Sequence, residues 1–331
     1  MPTKITIMSE LNLPYADLTP DRVMDAVESL GYLCDARVLA LNSYENRVYQ
    51  VGIEDQAPLI AKFYRPQRWS NAAIREEHAF LLQLADEEVP VVAPLQQQGE
   101  TLFECQGYRF ALFPQRGGHA PELSNEHDLE TIGRWLARIH QVGSRATFSA
   151  RRILQPLEDL TEAHQQVLDS GLMPEDYRPA YDSTMTALAQ RLSNPEWQTL
   201  RLHGDLHNGN LLLRYDELFF VDFDDCLQGP AIQDIWMLLS GQRDEQQSQL
   251  QAIARGYEVF RSFPAHELQH IELLRTLRIA RYAAWLCQRW QDPAFPLAFP
   301  WFTGHQFWSQ HLLSLREQQA SLDDEPLTLF A

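Results

Sequence analysis

The stretch RLHGDLHNGNLLLRYDELFFVDFDD, residues 201–225, decides how this chain is read. Within it, residues 211–213 and 218–221 are two short apolar runs separated by the polar segment 214–217, which predicts a β-hairpin. A hairpin brings its two open ends together. Asn210 immediately precedes the first run and Asp222 immediately follows the second, so an amide oxygen and a carboxylate are expected side by side. Asp205 lies in the loop that feeds the same end.

Two carboxylates and one amide oxygen, in a loop with glycines at 204 and 209, suit a hard cation that takes oxygen ligands and keeps some water or phosphate oxygens. Magnesium fits that description. Phosphoryl transfer from ATP uses this set of groups, with metal neutralising charge on the phosphates and a carboxylate orienting the attacking hydroxyl and accepting its proton. The spacing therefore assigns Asn210 and Asp222 to metal binding and Asp205 to the base. Asp224 either joins the metal or is a loop acid, and Asp234, on a predicted helix, is expected to bond backbone amides of the catalytic loop.

Blander readings have to be weighed against this one. An isolated HGD is more often a turn with a capping aspartate than a catalytic loop. Joined by a hairpin to VDFDD it reads the other way. His203 and His207 have the i, i+4 spacing of a zinc-binding helix, but Gly204 and the Asn208-Gly209 pair oppose a helix there and the HExxH glutamate is absent. Hydrogen bonding within the loop is the expectation for both histidines. Trp285, Trp290, Trp301 and Trp308 would suit a cage for a quaternary amine, although such spacing more often marks helix packing.

Composition sets the outer limits. At 331 residues and 45% hydrophobic content, the chain can bury a large core in one large domain or two lobes. Its opening residues contain no apolar run long enough for a signal peptide, and later apolar stretches are broken by arginine short of a membrane span, so a cytoplasmic protein with no membrane partner is expected. The four cysteines form no CxxC pair, which argues against a zinc site or a disulfide framework. A net charge of -18 opposes nucleic-acid binding and would favour a cationic substrate or protein partner.

Of the 27 basic residues, only Lys4 and Lys62 are lysines. Lys62 therefore calls for a local explanation. Residues 48–51 and 59–64 read as two strands around a GIEDQ turn, with Lys62 on the second. Ser70 can then cap a helix through AAIREEHAFLLQLA, on which Ile74, Glu77, Leu81 and Leu84 share one face. A lysine on that strand could reach nucleotide phosphates as a compact charge, and Glu77 could hold its ammonium in place, whereas Glu76 points elsewhere. Two more extended runs are expected at 91–95 and 107–113, and PQRGG is the candidate linker. Beyond it helices are predicted through EHDLETIGRWLARIH and near 156–169, 177–193, 244–262 and 266–291.

HGDLHNGN followed by FFVDFDD resembles the catalytic loop and metal-binding segment of the aminoglycoside phosphotransferase-like kinases, a branch of the protein-kinase-like fold, and GPAIQDIWMLL is similar to that superfamily as well. Within it, LNSYENRVYQV, AKFYRP, EEHAFLLQL, VPVVAP, LRLHGD and DPAFP…FPW together resemble a bacterial stress-response group of serine/threonine protein kinases, from about Asp21 to about Trp308. The resemblance implies an α+β bilobal fold, with a β-rich nucleotide-binding lobe at 1–114, a larger, mainly helical catalytic lobe at 115–331, and ATP and magnesium in the cleft. It makes Asp205 the proton acceptor, Asn210 and Asp222 the magnesium ligands and Lys62–Glu77 the nucleotide-anchoring ion pair. Ser43 falls in the loop over the phosphates and FALFP in the hinge beside adenine. SYENRVY lacks the glycines of a Gly-rich loop, so phosphate contacts there would come from the Ser43 hydroxyl and loop amides.

The resemblance also implies ATP and a protein serine or threonine as the reactants; a monomer is the expectation for the chain. A kinase of aminoglycosides, choline or homoserine is the alternative. A non-catalytic nucleotide-binding regulator is disfavoured because Lys62, Asp205, Asn210 and Asp222 are all present.

Overall fold

A computed structural model of the chain describes residues 14–329; Lys4 and the rest of 1–13 lie outside the described residues. By its own packing the chain divides into two compact units. One takes the residues through Ser70 together with Leu95–Gln115, the other Asn71–Pro94 and the chain from Arg116.

The first unit is an antiparallel sheet with one helix. Helix α1 (Pro20–Glu28) starts with proline, and Thr19 caps it by accepting the Arg22 amide. Strands β1 (Cys34–Leu41), β2 (Arg47–Ile53), β3 (Leu59–Phe63), β4 (Phe103–Cys105) and β5 (Tyr108–Pro114) are ordered β1-β2-β3-β5-β4, so β3 is central. Val23 and Val27 of α1 pack with Val51, Ile53, Phe63 and Phe110, the last two rings stacked at 5.4 Å. Neither α1 nor β1 is legible in the sequence. The helix is only nine residues long, and a register shift between Cys34 and Val38 breaks the alternation that announces a strand. The extended run expected at 91–95 is not a strand: Val91 makes a single bridge to Phe220, and Pro90 and Pro94 on either side offer no N–H to a ladder.

The second unit is mainly helical, with α2 (Asn71–Asp86), α3 (Glu126–Gly143), α4 (Pro156–Ser170), α5 (Arg178–Arg191), α6 (Ile232–Trp236), α7 (Arg243–Tyr257), α8 (Ile271–Arg289), α9 (Ala294–Ala298) and α10 (His305–Ser321). Two small ladders run among them. β6 (Leu200–Leu202) pairs antiparallel with β9 (Leu227–Gly229), and β7 (Leu211–Arg214) with β8 (Glu217–Phe220). The connectors 203–210 and 221–226 both run between these ladders and are thereby forced against one another. Together the two units make an α+β fold, as expected. Among the described residues, no helix is long and apolar enough to cross a membrane, and all four cysteines are free thiols.

The tryptophans pack rather than line a cage. Trp308 is buried, with its ring edge-on to Tyr181 at 6.0 Å, and Trp285 lies 5.1 Å from Phe295. His311 sits in the same cluster, stacked on Phe307 at 5.4 Å, and burial pushes its pKa down to about 4. A depressed histidine contributes stability that is present above its unfolded value of 6.5 and is lost as pH falls through the folded value. Urea unfolding of the wild type should therefore lose about 3 kcal/mol more between pH 7 and pH 4 than that of His311→Phe; parallel losses in the two proteins would exclude His311 as the source.

Candidate active site

The hairpin expected from the sequence is present, and each strand is one residue longer toward the turn than its apolar run. Tyr215 and Asp216, at φ 49° and 64°, form a two-residue turn of the kind whose twist matches the flanking strands. At the open end, the Val221 amide donates to the Asn210 carbonyl at 3.0 Å, so Asn210 and Asp222 emerge next to each other. The Asn210 side-chain NH2 donates to the Asp205 carbonyl at 2.9 Å, which identifies its other terminal atom as the acceptor Oδ1. Asp222 has left-handed backbone angles of 61° and 63° and begins a short 3₁₀ turn, Phe223–Asp225.

The connector carrying Asp205 is held by α6. Asp234, fully buried, accepts the amides of His203 and Gly204, both at 2.8 Å, while Gln233 donates to the Gly204 carbonyl at 3.0 Å. His140 of α3 lies 3.4 Å from the same carboxylate through Nε2. Because a carboxylate only accepts, that nitrogen carries the proton and Nδ1 accepts from the Tyr257 hydroxyl at 2.9 Å. Glu267 in turn accepts the Ile232 amide at the start of α6. Gly204 has φ +86°, and a Cβ there would stand 2.3 Å from the Asp225 carbonyl, so only glycine lets the connector carrying Asp205 touch the 223–225 turn. His203 joins the two loops from inside, donating Nε2–H to the Val221 carbonyl at 2.8 Å, and His207 Nδ1 accepts the Gly209 amide at 3.0 Å. Both histidines thus bond within the loops.

Asp205 meets a residue that the sequence reading did not single out. Arg278 of α8 donates to its Oδ1 at 2.5 Å, and His207 Nε2 is 3.7 Å from Oδ2. Burial pushes the Asp205 carboxyl up, but the charge and hydrogen bond of Arg278, with His207 and His203, outweigh it and hold the group below the usual carboxylate range. Asp205 is therefore ionised.

Arg151 was also missed. Buried in the second unit, it donates to Glu77 at 2.7 Å, to the Ala73 carbonyl at 2.8 Å and to the Asp224 carbonyl at 2.5 Å, clamping α2 to the metal-side turn. Glu76, on another face of α2, accepts the amides of Ser149, Ala150 and Arg151. Glu77 accordingly serves Arg151 within its own unit, beside any role toward Lys62. Nothing in spacing marks Arg151, because its partners come from two segments, each more than 70 residues away.

Lys62 and Ser43 belong to the first unit. Lys62 sits mid-strand on β3, opposite Val48 and Ala111, buried, with its ammonium 5.3 Å over the Tyr64 ring. The loop that carries Ser43 is braced by Arg65, which donates to the Tyr44 and Glu45 carbonyls and whose amide donates to Asn46 Oδ1 at 3.1 Å. In place of glycines, this loop is shaped by an arginine immediately beyond the strand that bears Lys62.

Oxygen donors dominate the open end of the hairpin, where the Asn210 side-chain amide and the Asp222 carboxylate emerge beside the connector carrying Asp205. That set fits magnesium, which binds through one or two carboxylates and keeps its other positions for water and phosphate oxygens. Among the described residues, no group of three or more His, Cys, Asp or Glu side chains forms a cage for a metal such as zinc.

The model of the phosphotransferase enzyme family matches residues 37–270, which span both connectors, β3 and most of the helices. The chain belongs to the phosphotransferase enzyme family. Its members are kinases, and this chain is one. It is 43% identical over 325 residues to a Salmonella typhimurium protein named serine/threonine protein kinase RdoA, a match covering 97% of this chain and 99% of that one. To stress response kinase A of Escherichia coli K12 it is 42% identical over the same lengths. Among solved structures, an amicoumacin kinase in complex with AMP-PNP, Ca2+ and amicoumacin superposes with a TM-score of 0.70 at 20% identity, covering 94% of this chain and 95% of that one. The family fold is thus shared across distant sequences.

Removing the carboxylate that holds the base loop should be costly. Asp234→Ala strands two buried amides and is expected to lower unfolding free energy by about 3–5 kcal/mol, with Asp234→Asn losing roughly half as much. Urea denaturation monitored by tryptophan fluorescence measures both; a change under about 1 kcal/mol for the alanine variant would mean that the loop is held by something else.

Proposed function

We propose that this kinase transfers the γ-phosphoryl group of ATP to serine or threonine hydroxyls of proteins, with magnesium. The observation that carries the reading is the convergence of Asp205, Asn210 and Asp222 at the open end of one hairpin, where Asp205 is kept ionised by Arg278. The protein acceptor is supported by the name of the 43% identical Salmonella relative, which matches along nearly its whole length. A divalent cation is supported by the donor set, and ATP by the family. The unit carrying Lys62 and Ser43 is the proposed nucleotide-binding part, with Lys62 as the phosphate-anchoring cation, Glu77 as its carboxylate partner and the Ser43 hydroxyl as a phosphate contact.

In the proposed step, Asp205 orients the acceptor hydroxyl and takes its proton as the oxygen bonds to the γ-phosphorus. The bond from that phosphorus to the bridging oxygen breaks, and its electron pair leaves with ADP. Bound magnesium would neutralise charge on the phosphates. Asn210 and Asp222 would hold it. The Arg278 hydrogen bond keeps the Asp205 carboxylate in one orientation, so little is lost in positioning it when the acceptor arrives.

Asp205→Asn should lower transfer of label from radioactive ATP by about 10²- to 10⁴-fold while leaving ATP affinity within a few-fold of wild type. Undiminished turnover would remove Asp205 from the base role. Asp222→Ala should weaken magnesium-dependent nucleotide binding, moving the midpoint of a magnesium titration followed by calorimetry to higher concentration by about tenfold or more. An unchanged titration would refute Asp222 as a ligand. The acceptor class is tested by offering labelled ATP with proteins and with a panel of aminoglycosides and amino alcohols. Label entering only the small molecules would overturn the protein-kinase reading.

A further inference from the structure

Helix α8 carries a row of arginines, and one of them, Arg278, touches Asp205. Arg275, Arg278 and Arg281 follow one another at three-residue spacing and so share one side of the helix. Their partners differ. Arg275 is used structurally, donating to Glu272 at 2.7 Å. Arg278 binds Asp205 and keeps 48% of its side-chain surface exposed, so much of its five-donor fork still faces solvent.

Arg281 is the anomaly. It is partly buried, and among the described residues it has no ion pair and no hydrogen bond of its own. Burial and the neighbouring Arg152 charge both work against its guanidinium, while Asp159, Asp225 and Glu162 favour it from a distance. Two of those three acids are committed elsewhere: Asp159 pairs with Arg152, and Glu162 accepts from Gln166 at 2.7 Å. A chain with 45 acidic residues and a net charge of -18 has thus left a partly buried arginine without a carboxylate, one helical turn from the arginine that touches its base. An unpaired, partly desolvated cation is costly, and an anion brought from outside would relieve that cost.

We infer that Arg278 and Arg281 form an anion-receiving face beside Asp205, and that the preferred acceptor is a serine or threonine flanked by acidic side chains. The inference rests on the protein-kinase reading and sharpens it against the net charge of the chain, which by itself points to a cationic substrate. Guanidinium forks suit carboxylates because they present parallel donors to both oxygens. The acceptor hydroxyl would approach the Asp205 oxygen on the His207 side, since Oδ1 is engaged by Arg278. A carboxylate one or two residues away along the peptide would meet the exposed donors of Arg278 and those of Arg281.

The experiment offers the full-length enzyme, radioactive ATP and magnesium three serine peptides that differ only in flanking glutamate, glutamine or arginine. Wild type should show kcat/KM at least about tenfold higher for the glutamate peptide than for the arginine peptide, the size of one charge-assisted contact. Arg281→Glu should reverse the order, and Arg281→Gln, which adds no acid near Asp225, should collapse it, with the effect in KM rather than kcat. Arg278→Lys should retain the acidic preference that Arg278→Gln loses. Equal or better labelling of the arginine peptide by wild type, or an unchanged preference in both Arg281 variants, would overturn the inference while leaving protein phosphorylation intact. Labelling of no peptide of any charge would overturn the protein-kinase reading and the inference with it.

Discussion

The grip of the Asp234 carboxylate on two consecutive amides is the constraint on which the site depends. His203 and Gly204 have no other helix or strand to satisfy their N–H groups, and a buried amide without a partner is expensive. Supplying both acceptors from one side chain fixes the loop at the residue before Asp205. The carboxylate is itself held by His140, whose ring is fixed by Tyr257, so α3 and α7 both bear on the base through one buried chain of hydrogen bonds. Such a network is strong only when every member is satisfied, and this one is.

A second set of contacts governs the metal-side turn. Arg151 spans α2 and the turn by donating to the Ala73 carbonyl, the Glu77 carboxylate and the Asp224 carbonyl, and it does so while buried. Gly204 then lets the base loop close on the Asp225 carbonyl. The two loops that carry the oxygens are consequently located by different helices and meet by contact. Errors in either would separate Asp205 from Asn210 and Asp222, and the supporting residues Arg151 and Asp234 are buried.

How much of this was legible depends on whether the signal was local. The β7–β8 hairpin could be read because apolar runs and a polar turn lie within a dozen residues, and its two ends necessarily converge on Asn210 and Asp222. Five helices of the second unit, α3, α4, α5, α7 and α8, were legible from periodicity close to their expected bounds, whereas the 17-residue α10 was not read. Short or irregular elements were not: α1 is nine residues long, β1 contains a register shift, and the run at 91–95 lost its ladder to Pro90 before it and Pro94 within it. Arg151, Arg278 and Arg281 were invisible among 25 arginines, because their significance lies in partners, or the lack of one, 70 or more residues away.

By itself the sequence determined the chemistry: the oxygen donors, their order along a hairpin, the scarcity of lysine that singled out Lys62, and the family to which these motifs belong. Those properties are carried by residue type and short spacing, which folding cannot alter. Only the tertiary structure decided which cations attend the acids. That Arg278 lies on Asp205 and that Arg151 holds Glu77 to the 223–225 turn follow from segments distant in sequence being packed together. Net charge could not predict it, since electrostatics at a site is set by the few charges within several ångströms and not by the sum over the chain.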